Sequence, residues 1–291
     1  MRITDSMLAQ RVIDSINESK SRLGELQNIL STTKRVNKPS DDPLRISHIL
    51  NLRREIKDIE QYLENGEIAS TWIDMATHIL TQSGEVLNSA KVIALREASA
   101  TASPETRASS AEEIRNLKIQ LLNLVNTVYG GRYIFAGTKT LTQPFDENGE
   151  YQGDQGEIEL QVGEKRIISI NSPGDKVFQE AEDVFAVLLD LETALENDDL
   201  PGISDKLEKL DNCLAQIRRW EGDFGGRSRR VEINRNHLQD QTVQISKILS
   251  STEDADVVKI VVQLQAAGIA YQAALSAGRQ ILEYTLISFW G

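Results

Sequence analysis

Apolar residues recur at helical spacing near both ends of the chain. Near the beginning the steps alternate between four and three residues, with the polar Ser19 in the same series. Such steps place side chains on one stripe of an α-helix, as in the seam of a coiled coil. The same steps return in the last predicted helix. The two stripes are Val12, Ile16, Leu23, Leu26 and Leu30, and Ile260, Leu264, Ala267, Tyr271, Ala274, Gly278 and Ile281.

The last helix carries a second stripe of small residues at four-residue spacing: Ala266, Ala270, Ala274 and Gly278. Small residues let a neighbouring backbone approach closely. A helix with two usable stripes has more than one partner, and the first helix is the obvious one. Two helices alone cannot bury both stripes, so we expect these helices to pack against further copies of the chain.

Further helical stripes lie on either side of the middle of the chain. One pattern starts near Leu44, and another follows Ser103, a predicted N-cap with Pro104 at the first helical position. The pair Gly130-Gly131 is predicted to stop the second of these helices. Later helices are separated by breaks at DDLPG and GDFGG and extend to about Leu249. We expect these stripes to form an intramolecular core.

The periodicity changes between these two groups of helices. Tyr133 to Phe135 reads as a short strand, and Asn148-Gly149 is a hairpin signal. The stretch EIELQV alternates apolar and polar residues, and RIISI returns after the turn at Gly163. Residues 132–178 are therefore predicted to form a small inserted β domain.

The stretch RVNKPSDDP lies between the first two helical patterns. Pro39 is predicted to end the first helix, because its ring cannot continue it. Asp42 is then a suitable N-cap, Pro43 fits the first helical position, and Asp41 lies near the positive end of the helix. The alternative is that Asp41 and Asp42 form a metal or acid/base site. Local chemistry favours the cap.

These patterns predict a mainly α fold: a long, coiled-coil-like helical rod with paired N- and C-terminal helices, a central helical bundle and a small inserted β domain. The chain is divided accordingly into three parts. They are a terminal helical assembly domain of residues 1–38 plus 254–291, a helical bundle of residues 39–131 plus 179–253, and a β domain of residues 132–178.

Charge and composition narrow the classes of function. The net charge of −12 over 291 residues argues against a nucleic-acid partner. Residues 141–200 hold 16 acidic and three basic side chains, so this segment is predicted to face solvent. The single cysteine, Cys213, excludes a disulfide framework. No apolar run marks a cleaved signal peptide. No stretch is expected to be apolar enough to span a membrane, so we expect no membrane span.

Residues that could support catalysis or metal binding do not form a convincing motif. His48, His78 and His237 have no metal-ligand spacing. DENGEYQGDQGE resembles a calcium loop, but Tyr151 stands where such a loop needs glycine. We therefore expect no cofactor and no metal, and we expect the chain not to be an enzyme. An enzyme using Asp41, Asp42 or the acidic loop is the competing hypothesis.

Several motifs carry a resemblance to a known family. They are RITDSML near the start, KRVNKPSDDP, Gln61-Tyr62 followed by Asn65, GGRYIFAGTKT with PF after it, and YQGD before the hairpin. Together they resemble the hook-associated protein 3 family of the flagellin superfamily, the junction protein between flagellar hook and filament. RYIFAG and YQGD favour this family over filament flagellin.

The resemblance implies a structural adaptor outside the cell. It implies a layer of identical subunits, polymerised through the terminal helices, with a hook-side junction protein on one side and flagellin on the other. It also implies type III export without a cleaved signal peptide and an export chaperone that holds the terminal helices. The alternative in the same class is filament flagellin itself.

Overall fold

A computed structural model describes residues 5–38, 42–99 and 102–290. The described chain is mainly α-helical with two small antiparallel sheets, so the predicted fold class is confirmed. The helices are α1 (Asp5–Thr32), α2 (Pro43–Glu97), α3 (Pro104–Val125), α4 (Gly174–Phe178), α5 (Val184–Glu196), α6 (Leu200–Glu253) and α7 (Val257–Trp290), and the strands are β1 (Val128–Tyr129), β2 (Arg132–Tyr133), β3 (Glu159–Gly163) and β4 (Arg166–Ser169).

The chain packs as two compact units. The first unit holds the residues up to Asp58 together with those from Gln241 onward, and the second holds Ile59–Asp240. The boundary falls inside α2 and α6, which are continuous helices. The predicted β segment, residues 132–178, belongs to the second unit.

The core of the second unit is built from one face each of α2, α3, α5 and α6. Their buried side chains recur every three or four residues, which is the spacing that keeps them on one face. Among the fully buried ones are Ile73, Leu80 and Leu87 of α2, Ile114 and Leu121 of α3, Leu188 and Leu191 of α5, and Leu210, Ile217 and Phe224 of α6.

Aromatic side chains join the segment of residues 132–178 to this helical core. The Phe145 ring lies 4.9 Å from that of Phe185 in α5 and 5.8 Å from that of Phe178, measured between ring centroids. The backbone of Phe145 is also held by Asn126, which accepts from its N–H at 3.0 Å and donates to its carbonyl at 2.9 Å. The segment therefore shares its core with the helices.

The turn at Asn148-Gly149 and the β3–β4 hairpin both form as the sequence predicts. Asn148-Gly149 forms a turn closed by a bridge between Phe145 and Tyr151. Gly149 has φ +88°, and a Cβ there would lie 2.6 Å from Phe185 Cβ, so only glycine fits. Strands β3 and β4 pair in antiparallel register, with Leu160 opposite Ile168.

Two helix ends predicted from the sequence differ in the structure: one lies earlier in the chain, and the other does not occur. Helix α3 ends at Val125, and Gly130-Gly131 (φ +56° and +77°) instead forms the turn between β1 and β2. Helix α6 continues through GDFGG, where Phe224 is fully buried. Each exposed glycine costs about 1 kcal/mol relative to alanine, and the packing of Phe224 and its neighbours outweighs that cost.

A buried arginine fixes the turn between α2 and α3. The Arg107 side chain donates to the carbonyls of Glu97 and Ser99, each at 3.0 Å, and to the carboxylate of Asp198. Because the last carbonyls of a helix have no partner within it, this guanidinium caps α2. Ser103 caps α3 as predicted, accepting from the Thr106 N–H at 3.2 Å.

The shared aromatic core gives a direct prediction. Phe145→Ala removes a fully buried ring and should lower the free energy of unfolding by about 3–5 kcal/mol. Leu141→Ala, at an 82% exposed position four residues away, should change it by less than about 0.5 kcal/mol. Urea unfolding followed by circular dichroism measures both, and equal effects would show that the segment does not share the helical core.

Candidate assembly surface

Helices α1 and α7 pack against each other within the first unit. A Cβ added to Gly278 would lie 3.0 Å from Val12 Cγ1 and 3.1 Å from Ile16 Cδ1, and one added to Gly268 would lie 3.8 Å from Leu23 Cδ1. Contact positions rise along α1 as they fall along α7, so the two helices are antiparallel.

The predicted stripes lie on the facing sides of this pair. In α1, Leu26 is 7% exposed, and the other predicted positions are half-buried. In α7, Gly278 is buried, whereas Ile281 lies outside the residues whose side chains the structure describes. The structure thus brings the stripes together inside one chain. The half-buried positions are Val12, Ile16, Leu23 and Leu30, and Ile260, Leu264, Ala267, Tyr271 and Ala274.

A second apolar stripe of α7 lies on the side away from α1. Val258, Val262 and Ile269 are 76%, 61% and 69% exposed. We call the two predicted stripes that face each other in α1 and α7 the seam. Each of the three exposed residues stands two residues from a seam position of α7, which is about 200° around a helix. We call these three residues the outer stripe. The sequence analysis missed it and named a stripe of small residues instead, although the four- and seven-residue steps of the outer stripe were a usable signal.

The stretch between α1 and α2 differs in part from its prediction. Helix α1 ends at Thr32, well before Pro39, because Thr33 adopts a left-handed φ of +56°. Pro43 is the first residue of α2, and Asp42 Oδ1 accepts from the Arg45 N–H at 3.0 Å, which is the geometry of an N-cap. Pro39 and Asp41 lie outside the described residues.

The same stretch pairs with the junction between α6 and α7. The Arg35 N–H donates to the Glu253 carbonyl at 2.7 Å, and the Ala255 N–H donates to the Thr33 carbonyl at 2.9 Å. Lys34 and Asp254 stand opposite each other as an antiparallel bridge. We call residues 33–35 and 253–255 the clasp. It joins two positions that are more than 200 residues apart in the chain.

Ion pairs reinforce the clasp. Lys34 Nζ lies 2.6 Å from Asp254 Oδ1 and 3.3 Å from Glu253 Oε1, and Arg53 also pairs with Glu253. The Glu253 side chain is only 4% exposed, and these two cations are its ion-pair partners.

The Lys34 ammonium and, second, the Ser250 hydroxyl lower the pKa of Asp254 below its ordinary value near 3.8. In turn, the bond to Asp254 raises the pKa of Lys34. A carboxyl whose pKa is lowered on folding stabilises the fold above its ordinary pKa and loses that contribution as the pH falls below it. Lys34 and Asp254 are therefore both charged at neutral pH.

The expectation that no stretch of the chain is apolar enough to span a membrane was wrong for α7. Residues Val257–Gln280 have a mean hydropathy of 1.3, so this helix is long and apolar enough to cross a membrane by length and composition. The same test is passed by helices that pack against other helices in water, and α7 does contact α1. The outer stripe contributes to this apolarity.

Two aspartates of the β segment accept local hydrogen bonds from the backbone. Asp146 accepts from the N–H groups of Asn148 and Glu150, and Asp154 accepts from the N–H of Thr138 at 2.6 Å. Within the described ranges, no three His, Cys, Asp or Glu side chains are grouped to hold a metal ion. Burial raises the pKa of the Cys213 thiol to about 12, so this thiol is a poor nucleophile.

Comparisons with known proteins agree with this geometry. Models of the bacterial flagellin N-terminal and C-terminal helical regions match residues 3–140 and 207–289. Flagellar hook-associated protein 3 of Escherichia coli is 36% identical over 180 residues, which cover 61% of this chain and 57% of that protein. The aligned part thus spans little more than half of that relative.

Two further comparisons concern the similarity to filament flagellin and the similarity of the fold to a solved structure. Flagellin of Bacillus subtilis is 21% identical over 94% of each chain. A solved flagellar hook-associated protein from Vibrio parahaemolyticus superposes with a TM-score of 0.69 at 20% identity, covering 74% of this chain and all of that one. Both flagellin helical regions are present, and the hook-associated protein 3 resemblance is confirmed. The chain therefore belongs to the flagellin family.

Proposed function

We propose that this chain is a structural subunit of the bacterial flagellum that forms the junction layer between hook and filament. The observation that carries the proposal is the outer stripe of α7, an apolar surface left exposed after α1 has covered the opposite face. Soluble monomers seldom leave a row of large apolar side chains uncovered unless it binds something. Identical copies packed side by side would bury it.

The contact between copies is heterologous, meaning that the outer stripe of one copy meets a different surface of the next. Such contacts repeat around an axis and form a ring or a helical layer. Burial of apolar side chains contributes about 25 cal/mol per Å² removed from water, and no catalysed reaction is needed.

The partners follow from the family resemblance and the named relatives. We propose that one end of the layer contacts a hook-side junction protein and that the other end receives the first flagellin subunits. Flagellar hook-associated protein 3 of Escherichia coli is more similar to this chain in sequence than flagellin of Bacillus subtilis is. That difference favours the junction role over the alternative, filament flagellin.

Export belongs to the same proposal. We propose that the chain reaches the cell exterior through the flagellar export channel, without a cleaved signal peptide. A flagellar export chaperone would cover the apolar stripes of α1 and α7 before assembly, because these stripes otherwise promote aggregation. The apolar character of α7 is then used for packing rather than for crossing a membrane.

The outer stripe gives the first prediction for assembly. Val262→Asp should reduce assembly of the purified chain by at least about tenfold, because burying an unpaired carboxylate costs several kcal/mol. Analytical ultracentrifugation and electron microscopy of the polymer measure this. Ala277→Asp is the matched control, since it adds the same charge at an exposed position of α7 that lies about 80° around the helix from the middle of the outer stripe.

Both variants should keep their helix content, because both positions face solvent in the single chain. If Val262→Asp assembles as well as Ala277→Asp, then the outer stripe is not the contact between copies.

The role in the cell gives a second prediction. Cells lacking this chain should carry hooks without filaments and should release flagellin into the medium, because the layer on which the filament starts is missing. Electron microscopy of the cell surface and an immunoblot of the medium provide the two readouts.

Normal filaments on such cells would contradict the junction role. Bare hooks with no flagellin in either the cells or the medium would instead identify the chain as the filament subunit.

A further inference from the structure

We propose that the clasp selects the register and the rotation of α7 against α1, and so determines which apolar stripe of α7 stays exposed. The pairing of residues 33–35 with 253–255 is an internal contact. Its consequence for assembly rests on the proposed function, whereas the selection of register does not.

The seam between α1 and α7 does not define one alignment by itself. Its α7 side includes the small residues Ala267, Ala274 and Gly278, and its α1 side includes the polar Ser19. Because the seam repeats every three or four residues, a slip of that length keeps apolar side chains on the facing sides. Such a slip also brings a residue with a side chain to the place of Gly278, where a Cβ would lie 3.0 Å from Val12 Cγ1. The seam therefore favours the observed register, and the clasp adds to that preference.

Hydrophobic burial accounts for only part of the selection of the α7 rotation. The outer stripe holds two valines and an isoleucine, whereas the seam holds Ile260, Leu264 and Tyr271 together with smaller residues. Turning α7 by half a revolution would bury the outer stripe against α1 and expose the seam. Polar contacts that exist in only one orientation add to the preference for the observed one.

The clasp supplies such contacts because its bonds exist in one alignment. A shift of one residue breaks both backbone hydrogen bonds, from Arg35 to Glu253 and from Ala255 to Thr33. It also separates Lys34 from Asp254 and from Glu253, which keeps Arg53 of α2 as its ion-pair partner. Taking one cation away from the buried Glu253 carboxylate costs more than exchanging one alanine for another.

The clasp is attached to both helices by very short connections. Thr33 directly follows the last residue of α1, and only Asp256 separates the clasp from Val257, the first residue of α7. Asp256 Oδ1 also accepts from the Lys259 N–H at 3.1 Å, which caps the first turn of α7. With so little free chain, α7 cannot rotate while the clasp is closed.

Intramolecular disulfide trapping tests the inference in the full-length chain. In a Cys213→Ala background, the native pair is Leu23→Cys with Gly268→Cys, which the structure places in contact. The mispaired reporter is Leu23→Cys with Ala266→Cys, which faces away from α1 at nearly the same level. Monomeric disulfides are separated from dimers on non-reducing gels, so assembly does not enter the readout.

With the clasp intact, the native pair should cross-link at least about tenfold more than the mispaired reporter. Adding Lys34→Ala and Ala255→Pro removes the ion pairs of Lys34 and the N–H that bonds to Thr33. The ratio should then fall to within about threefold. Ala255→Gly keeps that N–H and is the matched control, so it should keep the native ratio.

An unchanged ratio in the Lys34→Ala, Ala255→Pro variant would overturn the inference, since the seam alone would then set the register. A parent chain without preference for the native pair would overturn it as well. Neither result bears on whether the outer stripe mediates assembly, which the Val262→Asp variant tests separately.

Discussion

The structure depends on the fact that one helix, α7, is apolar on two opposite faces. A single antiparallel partner, α1, can cover only one of them. The other keeps Val258, Val262 and Ile269 largely exposed. In water this arrangement is unfavourable for an isolated chain and favourable for a chain with neighbours, because the same residues gain burial on association. The family assignment and the proposed junction role are consistent with that single constraint.

The polar clasp and the apolar seam make different contributions to the packing of α1 against α7. The seam supplies most of the buried apolar surface between α1 and α7, and apolar burial has no preferred direction. The hydrogen bonds of the clasp and its nearly inaccessible Glu253 carboxylate require one geometry. Coiled coils combine the same two contributions: apolar positions hold the helices together, and a few polar residues select their register.

Much of the fold and part of the candidate assembly surface could be predicted from the sequence. The predictions that were wrong or missing have physical reasons. The stripes, the β3–β4 hairpin and the Ser103 cap were visible because each depends on residues close together in the chain. The break expected at GDFGG was wrong because the burial of Phe224 outweighs the local cost of the glycines. The clasp could not be predicted, because Lys34 and Asp254 meet only after the chain has folded back over 220 residues.

The most direct test of the account is the accessibility of the outer stripe before and after assembly. Val262→Cys in a Cys213→Ala background would be labelled with a maleimide, first in the isolated chain and then in intact flagella. The account predicts rapid labelling of the isolated chain and at least about tenfold slower labelling in flagella, because the stripe is then buried against a neighbouring copy. Equal labelling rates in the two states would contradict it.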